Sequence, residues 1–227
     1  MLITATLTSR SARLNLELEE KLLLAQKNPR YVYLLFYENQ SSIILGKSLV
    51  YEEEVFSHKN HPPVLRRISG GGTVYHDYGN LNYSLMLSLD TFPEFFPIGE
   101  SYHKILGGLK CRMTPRIQIR GISDLVLDCG ATHRKISGNS QCRKRGWLMQ
   151  HGTFVYESAL LKKIPYYLKI PPKIPEYRAA RSHTQFMSRT LPYHSRYVIQ
   201  NLMTTGLAET FNKEIRRINF DKLLSAR

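Results

Sequence analysis

The N-terminal part of the chain shows two different hydrophobic periods. Residues Ile3–Thr8 alternate between apolar and polar side chains, which predicts a β-strand. Residues Ser11–Asn28 repeat apolar side chains with a helical period, and either Ser9 or Ser11 is suited to cap the helix that this pattern predicts. The expected apolar stripe of that helix consists of Leu14, Leu18, Leu22 and Ala25.

Runs of β-branched and aromatic residues come next. Arg30–Glu38 and Ser41–Gly46 predict two adjacent strands joined by a short polar turn. Thr73–Asp90 predicts a strand, a turn at Gly79–Asn80 and a second strand. Between these runs, Val50–Asn60 predicts a short helix.

The second half of the chain passes from a helix to strands and then to an irregular segment. Glu94–Leu109 predicts a helix that is broken by Gly107 and Gly108. Short stretches separated by turns predict an antiparallel meander in Arg116–Asp128, His133–Arg143 and Gly146–Glu157. Residues 162–227 begin rich in Pro, Tyr and Arg and end in a predicted helix at about Tyr197–Phe211. We expect this last region to be an ordered cover segment plus a C-terminal helix.

Helices mixed with mainly antiparallel strands define the expected fold class, which is α+β with helices flanking the sheets. The 227 residues are 42% hydrophobic and 22% charged, a composition typical of globular proteins. Because no shift in composition marks a boundary, we expect a single domain over residues 1–227.

The composition is strongly basic, with 32 Lys and Arg against 18 Asp and Glu and a net charge of +14. This charge favours anionic partners. A nucleic-acid-binding module is disfavoured because no RRM, KH, homeodomain or zinc-finger signature occurs. Three cysteines without CxxC spacing indicate neither a disulfide framework nor a zinc site. With no apolar run long enough to span a bilayer and no signal-like N-terminus, we expect no membrane partner and a cytoplasmic location.

Three consecutive glycines lie in the stretch RRISGGGTVYHDYGN, residues 66–80. Without a Cβ, Gly70, Gly71 and Gly72 allow a ligand to lie against the main chain, whose N–H groups can hold an anion. The stretch lacks the lysine of a P-loop and leads into a strand, so it matches neither dinucleotide-binding motif. Residues on both sides could contact a phosphate or acyl group, namely Arg66, Arg67, Ser69, His76 and Asp77.

Three further motifs follow in order: SDL at residues 123–125, KISGNSQ at 135–141 and HGT at 151–153. Together with the glycine stretch, they resemble the lipoate-protein ligases of the biotin and lipoate ligase superfamily, over roughly residues 10–160. Four ordered matches are far more specific than a lone glycine motif. The resemblance implies a catalytic domain like those of class II biotinyl and lipoyl synthetases.

The family resemblance also implies an activity. Lipoate-protein ligases join lipoic acid to AMP from ATP with Mg²⁺, release pyrophosphate, and pass the lipoyl group to one lysine of an apo lipoyl domain. The expected partners are the E2 subunits of 2-oxoacid dehydrogenase complexes and the glycine cleavage H protein. Lipoyl domains are usually acidic, so the basic charge of this chain suits their approach.

The resemblance assigns roles to individual residues. It implies that Lys135 is the catalytic lysine that contacts the acyl and phosphate oxygens of lipoyl-AMP. It places His151 in the acyl pocket and Asp124 near the Mg²⁺ ion. Where the family commonly has Asn before this Asp, the chain has Ser123, which alters the expected metal site. The residues implied to bind ATP or lipoyl-AMP are Arg67, Ser69, Gly70, Gly71, Gly72, Val74, His76, Asn80, Asp124 and Lys135.

A second departure from the family, in length, keeps other interpretations open. The 74 residues after the HGT motif are too few for both the remaining helices of the catalytic domain and the further C-terminal accessory domain of many bacterial members. This leaves a self-sufficient short ligase, a ligase with a separate accessory subunit, or a protein limited to the transfer step. We expect residues 175–186 to cover the pocket in place of the accessory domain.

The main alternative function is octanoyl or lipoyl transfer without ATP, from acyl carrier protein or a lipoyl-domain donor. Related octanoyltransferases use a cysteine before the lysine motif, and the stretch RIQIRGI at residues 116–122 has none. Cys142 directly follows the motif glutamine, and we interpret Cys111 and Cys129 as structural thiols that behave as small apolar residues. Biotin ligation is disfavoured because the usual glycine-rich loop of biotin ligases reads differently.

Overall fold

A computed structural model describes residues 1–25, 28–191 and 194–219. Strands are numbered in chain order: β1 Leu2–Thr6, β2 Val32–Tyr37, β3 Ser42–Leu45, β4 Val64–Arg66, β5 Val74–His76, β6 Asn80–Ser88, β7 Ile117–Arg120, β8 Asp124–Asp128, β9 His133–Lys144, β10 Trp147–Val155 and β11 Ile215–Arg217. The helices are α1 Ala12–Leu24, α2 Tyr51–Glu54, α3 Ile98–Lys110, α4 Ser158–Tyr167, α5 His183–Phe186 and α6 Arg196–Thr210.

The strands form two sheets. The large sheet has the order β11-β1-β2-β6-β10-β9-β8-β7, and the small sheet has the order β4-β3-β5. Strands β7 to β10 pair with their chain neighbours as an antiparallel meander, while β1 runs parallel to both β2 and β11. Helices α3 and α6 pack on one face of the large sheet, α1 packs on the other, and α4 packs against the small sheet. The predicted α+β class is confirmed. The predicted meander forms with four strands rather than three, because Arg116–Asp128 turns at Gly121 and gives both β7 and β8.

Helix α1 buries only part of the predicted stripe. Ser11 caps its N-terminus as expected and Leu22 is buried, but Leu14 is 56% exposed. The buried face includes the polar residues Asn15 and Glu19, each hydrogen-bonded inside the fold to a side chain near the end of β2. Apolar periodicity could not identify this face because two of its positions are polar.

Two strand pairs expected from the sequence are not formed. Strands β2 and β3 belong to different sheets, and so do β5 and β6. In the small sheet, β3 is flanked by β4 on one side and β5 on the other. The three-glycine loop connects β4 to β5 and therefore lies at the end of the small sheet, where the two sheets approach each other.

Helix α3 continues through Gly107 and Gly108, which corrects the predicted break. The helix crosses α6 closely at this point. A Cβ on Gly206 of α6 would lie 2.2 Å from the Gly108 carbonyl oxygen, and a Cβ on Gly108 would lie 2.5 Å from the Thr210 hydroxyl. The glycines therefore allow α3 and α6 to pack closely, and they do not mark the end of a helix.

We expect Gly206→Ala to lower the free energy of unfolding by about 1–3 kcal/mol, because a backbone oxygen occupies the space that the methyl group needs. Gly107→Ala is the matched control, since no atom lies within 4 Å of its ideal Cβ. The control should stabilise the protein by up to about 1 kcal/mol through helix propensity. Chemical denaturation of both variants measures the difference; equal stabilities would contradict a tight crossing.

None of the helices formed by the described residues is both long and apolar enough to cross a membrane.

Candidate active site

Two adjoining cavities lie between the sheets. The first has a volume of about 160 Å³ and the second of about 310 Å³. Residues of the glycine loop, β5, β8, β9 and β10 line both, and they are Gly72, Thr73, Val74, Ser123, Asp124, Lys135, Gly138 and Thr153. This shared wall makes the cavities two ends of one cleft, with Lys135 where they meet.

Arg67 shapes the glycine loop. Its buried guanidinium donates through Nη2 to the Gly70 and Gly72 carbonyl oxygens, at 2.6 and 2.8 Å. Nε donates to Ser69 Oγ and Nη1 to the Ile44 carbonyl oxygen. Burial lowers the pKa of Arg67 to about 10, which leaves it charged at neutral pH. Most of its N–H donors thus form hydrogen bonds with the loop, although the side chain also lines the first cavity.

The neighbouring Arg66 points away from the cleft. Its Nη1 donates to the carbonyl oxygens of Gly46, Lys47 and Leu49, and so holds the turn after β3. That turn touches the glycine loop, because a Cβ on Gly46 would lie 2.0 Å from the Gly71 carbonyl oxygen.

The glycine loop leaves open space beside its backbone. Gly71 has a φ of +84°, a conformation that favours glycine. Apart from the glycine itself and its chain neighbours, no atom of the described residues lies within 4 Å of an ideal Cβ at Gly70 or Gly72. The Gly70 carbonyl oxygen accepts a hydrogen bond from Ser140 Oγ of β9 at 2.8 Å, which ties the loop to the large sheet. Gly72 lines both cavities, so the space beside it is available to a ligand.

A buried chain of polar groups supports His151. Its Nδ1 lies 2.9 Å from Glu19 Oε2, and its Nε2 lies 2.5 Å from Ser69 Oγ. Tyr37 donates to the other Glu19 oxygen at 2.8 Å. The order Glu–His–Ser resembles a hydrolase triad, but Ser69 is 1% exposed, accepts from Arg67 and does not line either cavity. This network of hydrogen-bonded side chains therefore orients the His151 ring and does not present a serine nucleophile.

Lys135 and Asp124 meet at the junction of the cavities. Lys135 Nζ lies 2.8 Å from Asp124 Oδ1, and Tyr177 donates to Asp124 Oδ2 at 2.5 Å. Burial, followed by the Asp124 charge, raises the pKa of the Tyr177 phenol, which keeps it a proton donor. A Cβ on Gly138 would lie 2.9 Å from Lys135 Nζ, so the lysine side chain lies over this glycine.

The segment after α4 packs over the second cavity. Ser188 N donates to the Lys135 carbonyl oxygen at 2.8 Å, and Arg134 Nη2 donates to the Thr184 carbonyl oxygen at 2.6 Å. Among the described residues, the wall of this cavity has two carboxylates, Glu54 and Asp124, and five cations: Arg120, Lys135, Lys169, Lys173 and Arg178. Arg178 Nη2 is buried and has no hydrogen-bond partner within the described ranges. Such a wall suits a polyphosphate.

The structure brings most of the predicted site residues together. Those on the wall of the first cavity are Arg67, Gly71, Gly72, Val74, His76, Asp124, Lys135 and His151. Asn80 lines the second cavity. Ser69 and Gly70 line neither: Ser69 is buried behind the wall, whereas Gly70 is exposed outside the two cavities. Sequence reasoning missed Glu19, Tyr37 and Tyr177, because no local pattern marks them as site residues.

The cysteines are remote from the cleft. Cys111 and Cys129 are exposed, which corrects their interpretation as small apolar structural residues. Cys142 is partly buried, and burial raises the pKa of its thiol. None of the three lines either cavity.

Comparisons with known proteins agree with this geometry. The family model of the lipoyl protein ligase A/B catalytic domain matches residues 11–197. Lipoate-protein ligase LplJ of Bacillus subtilis is 38% identical over 157 residues, covering 65% of this chain and 44% of the relative. The chain thus spans less than half the length of this relative.

Solved structures share the fold. The bi-partite lipoate protein ligase of Thermoplasma acidophilum, described with its E2 lipoyl domain, has a TM-score of 0.80 at 23% identity, covering 96% of this chain and 86% of the other. A lipoate-protein ligase A bound with ATP has a TM-score of 0.72 at 22% identity, covering 96% and 88%. These likenesses confirm the expected fold. Since the family model covers most of the sequence, the chain belongs to the lipoyl protein ligase A/B catalytic domain family.

Proposed function

We propose that this protein is a lipoate-protein ligase, which activates lipoate with ATP and transfers the lipoyl group to a lysine of a lipoyl domain. The observation that carries the proposal is the position of Lys135, where a narrow cavity meets a cationic one. The narrow cavity suits an acyl chain and the cationic one a nucleotide. An enzyme that joins the two needs a cation at their meeting point.

In the first step, a carboxylate oxygen of lipoate attacks the α-phosphorus of ATP. A new P–O bond forms, the bond to pyrophosphate breaks, and lipoyl-AMP remains. Negative charge grows on the phosphoryl oxygens and on pyrophosphate. Lys135 offsets the charge at the reacting centre, and Arg178 with Lys173 offsets it on the pyrophosphate side.

Mg²⁺ often takes one or two carboxylates together with substrate phosphates. Among the described residues, Glu54 and Asp124 are the carboxylates that line the second cavity. We assign the ion to Asp124, which lies where the two cavities meet, although both its oxygens are engaged, by Lys135 and Tyr177. Binding a metal ion there would replace one of these bonds. No group of three or more His, Cys, Asp or Glu residues with metal-binding geometry occurs in the described part of the chain. Mg²⁺ bound with ATP would neutralise phosphate charge.

In the second step, the amine of the target lysine attacks the acyl carbon of lipoyl-AMP. An amide bond forms, the nitrogen loses a proton, and AMP departs on its phosphate oxygen. Lys135 holds the mixed anhydride until this attack. We assign the acyl chain to the first cavity beside His151 and His76, and the nucleotide to the second beside Asn80 and the backbone of Gly72.

Lipoyl domains of E2 subunits and the H protein are the proposed partners. A net charge of +14 steers acidic domains toward the chain, so transfer should slow as salt rises. A separate accessory subunit is part of the proposal, because a protein of this fold from Thermoplasma acidophilum is bi-partite.

The test combines the purified chain with ATP, Mg²⁺, lipoate and an apo lipoyl domain. We expect lipoate-dependent exchange between ATP and pyrophosphate, and a lipoyl mass on one lysine of the domain. Transfer from supplied lipoyl-AMP without exchange would show that adenylation needs the accessory subunit. Octanoyl transfer from acyl carrier protein without ATP, in the absence of both reactions, would replace the ligase with the transferase alternative.

A further inference from the structure

A chain of side-chain amides runs from α1 to the first cavity. Asn15 Nδ2 donates to the Ser9 carbonyl oxygen at 3.1 Å and to Asn39 Oδ1 at 2.8 Å. Asn39 Nδ2 lies 2.9 Å from His76 Nδ1. The Ser9 carbonyl can only accept, so it fixes the orientation of the Asn15 amide. Each later hydrogen bond then has one allowed direction.

This series of amide hydrogen bonds determines which ring nitrogen of His76 carries the proton. Asn39 Nδ2 is a donor, so His76 Nδ1 must accept, and the ring proton lies on Nε2. Burial, with smaller effects from Arg67 and His151, lowers the pKa of His76 to about 3, so the ring stays neutral. Nε2 is buried and finds no hydrogen-bond partner in the described residues, while the ring lines the first cavity. An unpaired buried donor is costly and suggests an absent acceptor.

Three strands show which end of the acyl cavity His76 occupies. On each, one residue lines both cavities and the residue two positions away lines only the first; the pairs are Val74 and His76, Thr153 and His151, and Gly138 and Ser140. Two residues span about 6.7 Å of extended strand. With the carboxyl group of the acid at Lys135, the ring of His76 meets the far end of the acyl chain.

We propose that Asn39 is a positioning residue that holds His76 Nε2–H for a sulfur acceptor at the far end of the substrate, and that this pair selects lipoate over octanoate. The inference rests on the proposed function. The dithiolane sulfurs of lipoate accept a weak hydrogen bond, whereas the methyl end of octanoate offers no acceptor. A site built to bond one group rejects the analogue that lacks it.

The experiment compares kcat/KM for lipoate and octanoate in ATP–pyrophosphate exchange. His76→Phe removes the donor and keeps a ring. Asn39→Asp replaces the donor with an acceptor, which moves the ring proton to Nδ1. We expect each variant to lower the lipoate-to-octanoate ratio about tenfold. Asn201→Asp is the control, because it makes the same chemical change at an exposed position of α6. The new carboxylate still accepts from Arg217, and the lipoate-to-octanoate ratio should stay unchanged.

Nitrogen-15 NMR of the His76 ring gives a readout that a merely structural role would not move. The unmodified chain should show a protonated Nε2, and Asn39→Asp a protonated Nδ1. A protonated Nδ1 in the unmodified chain, or an unchanged acid ratio in both folded variants, would overturn the inference. If the chain forms no adenylate alone, calorimetric affinities for the two acids supply the ratio. Failure of the unmodified chain both to bind either acid and to transfer the acyl group from supplied lipoyl-AMP would count against the proposed function instead.

Discussion

Lys135→Ala should reduce lipoyl-AMP formation by about 10³-fold while leaving the protein folded. The ammonium group lies at the junction of the two cavities, so it is the cation nearest the carboxylate and phosphate that react. Removing it also leaves Asp124 facing the phosphates without its partner, which adds repulsion to the loss of attraction. Exchange between ATP and pyrophosphate measures the change.

Lys144→Ala is the matched control. Lys144 also forms an ion pair with a carboxylate, Glu20 at 3.1 Å, and lies outside both cavities. The two variants carry the same net charge, so any difference between them reflects position. Circular dichroism confirms folding. Equal activity in the two variants would remove Lys135 from the mechanism.

The second large effect is expected for Arg67→Lys, which keeps the charge and loses the planar fork. A single ammonium group cannot bond the Gly70 and Gly72 carbonyl oxygens while also reaching Ser69. We expect kcat/KM to fall about 10²-fold because the glycine loop shifts. The Gly72 carbonyl, left without its donor, should also cost about 1–3 kcal/mol of folding free energy, while the Gly70 carbonyl keeps its bond from Ser140.

Arg112→Lys serves as the control, since Arg112 pairs with Glu209 in solvent, where such pairs contribute little. Steady-state kinetics and denaturation give the two readouts. If Arg67→Lys loses stability and keeps full kcat/KM, the loop does not need its observed shape for activity.

Local features of the fold were predictable from the sequence because they depend on neighbouring residues. The meander of β7 to β10 follows from alternation and turns, and the cap at Ser11 from its side chain. The assignment of β3 and β5 to a second sheet was not predictable, because strand pairing depends on packing between residues that are far apart in the sequence. The α3–α6 crossing was not predictable either, because its glycines are needed for contact between two helices that are distant in the sequence.

The site divides in a similar way. Short motifs carry Lys135, Asp124 and the glycine loop, so sequence reasoning predicted that they meet. Glu19 lies 132 positions from His151, and Tyr177 lies 53 positions from Asp124. Neither pairing leaves a local pattern, because each polar group is identified only by the partner that folding brings to it.

Arg66 at the end of strand β4 and Arg67 directly after it send their guanidinium groups to two different turns. Neighbours in an extended strand face opposite sides, so Arg66 serves the turn after β3 while Arg67 serves the glycine loop. Deleting either arginine would leave one of the two turns without its guanidinium donor. The register of this edge strand therefore decides which turn each arginine supports.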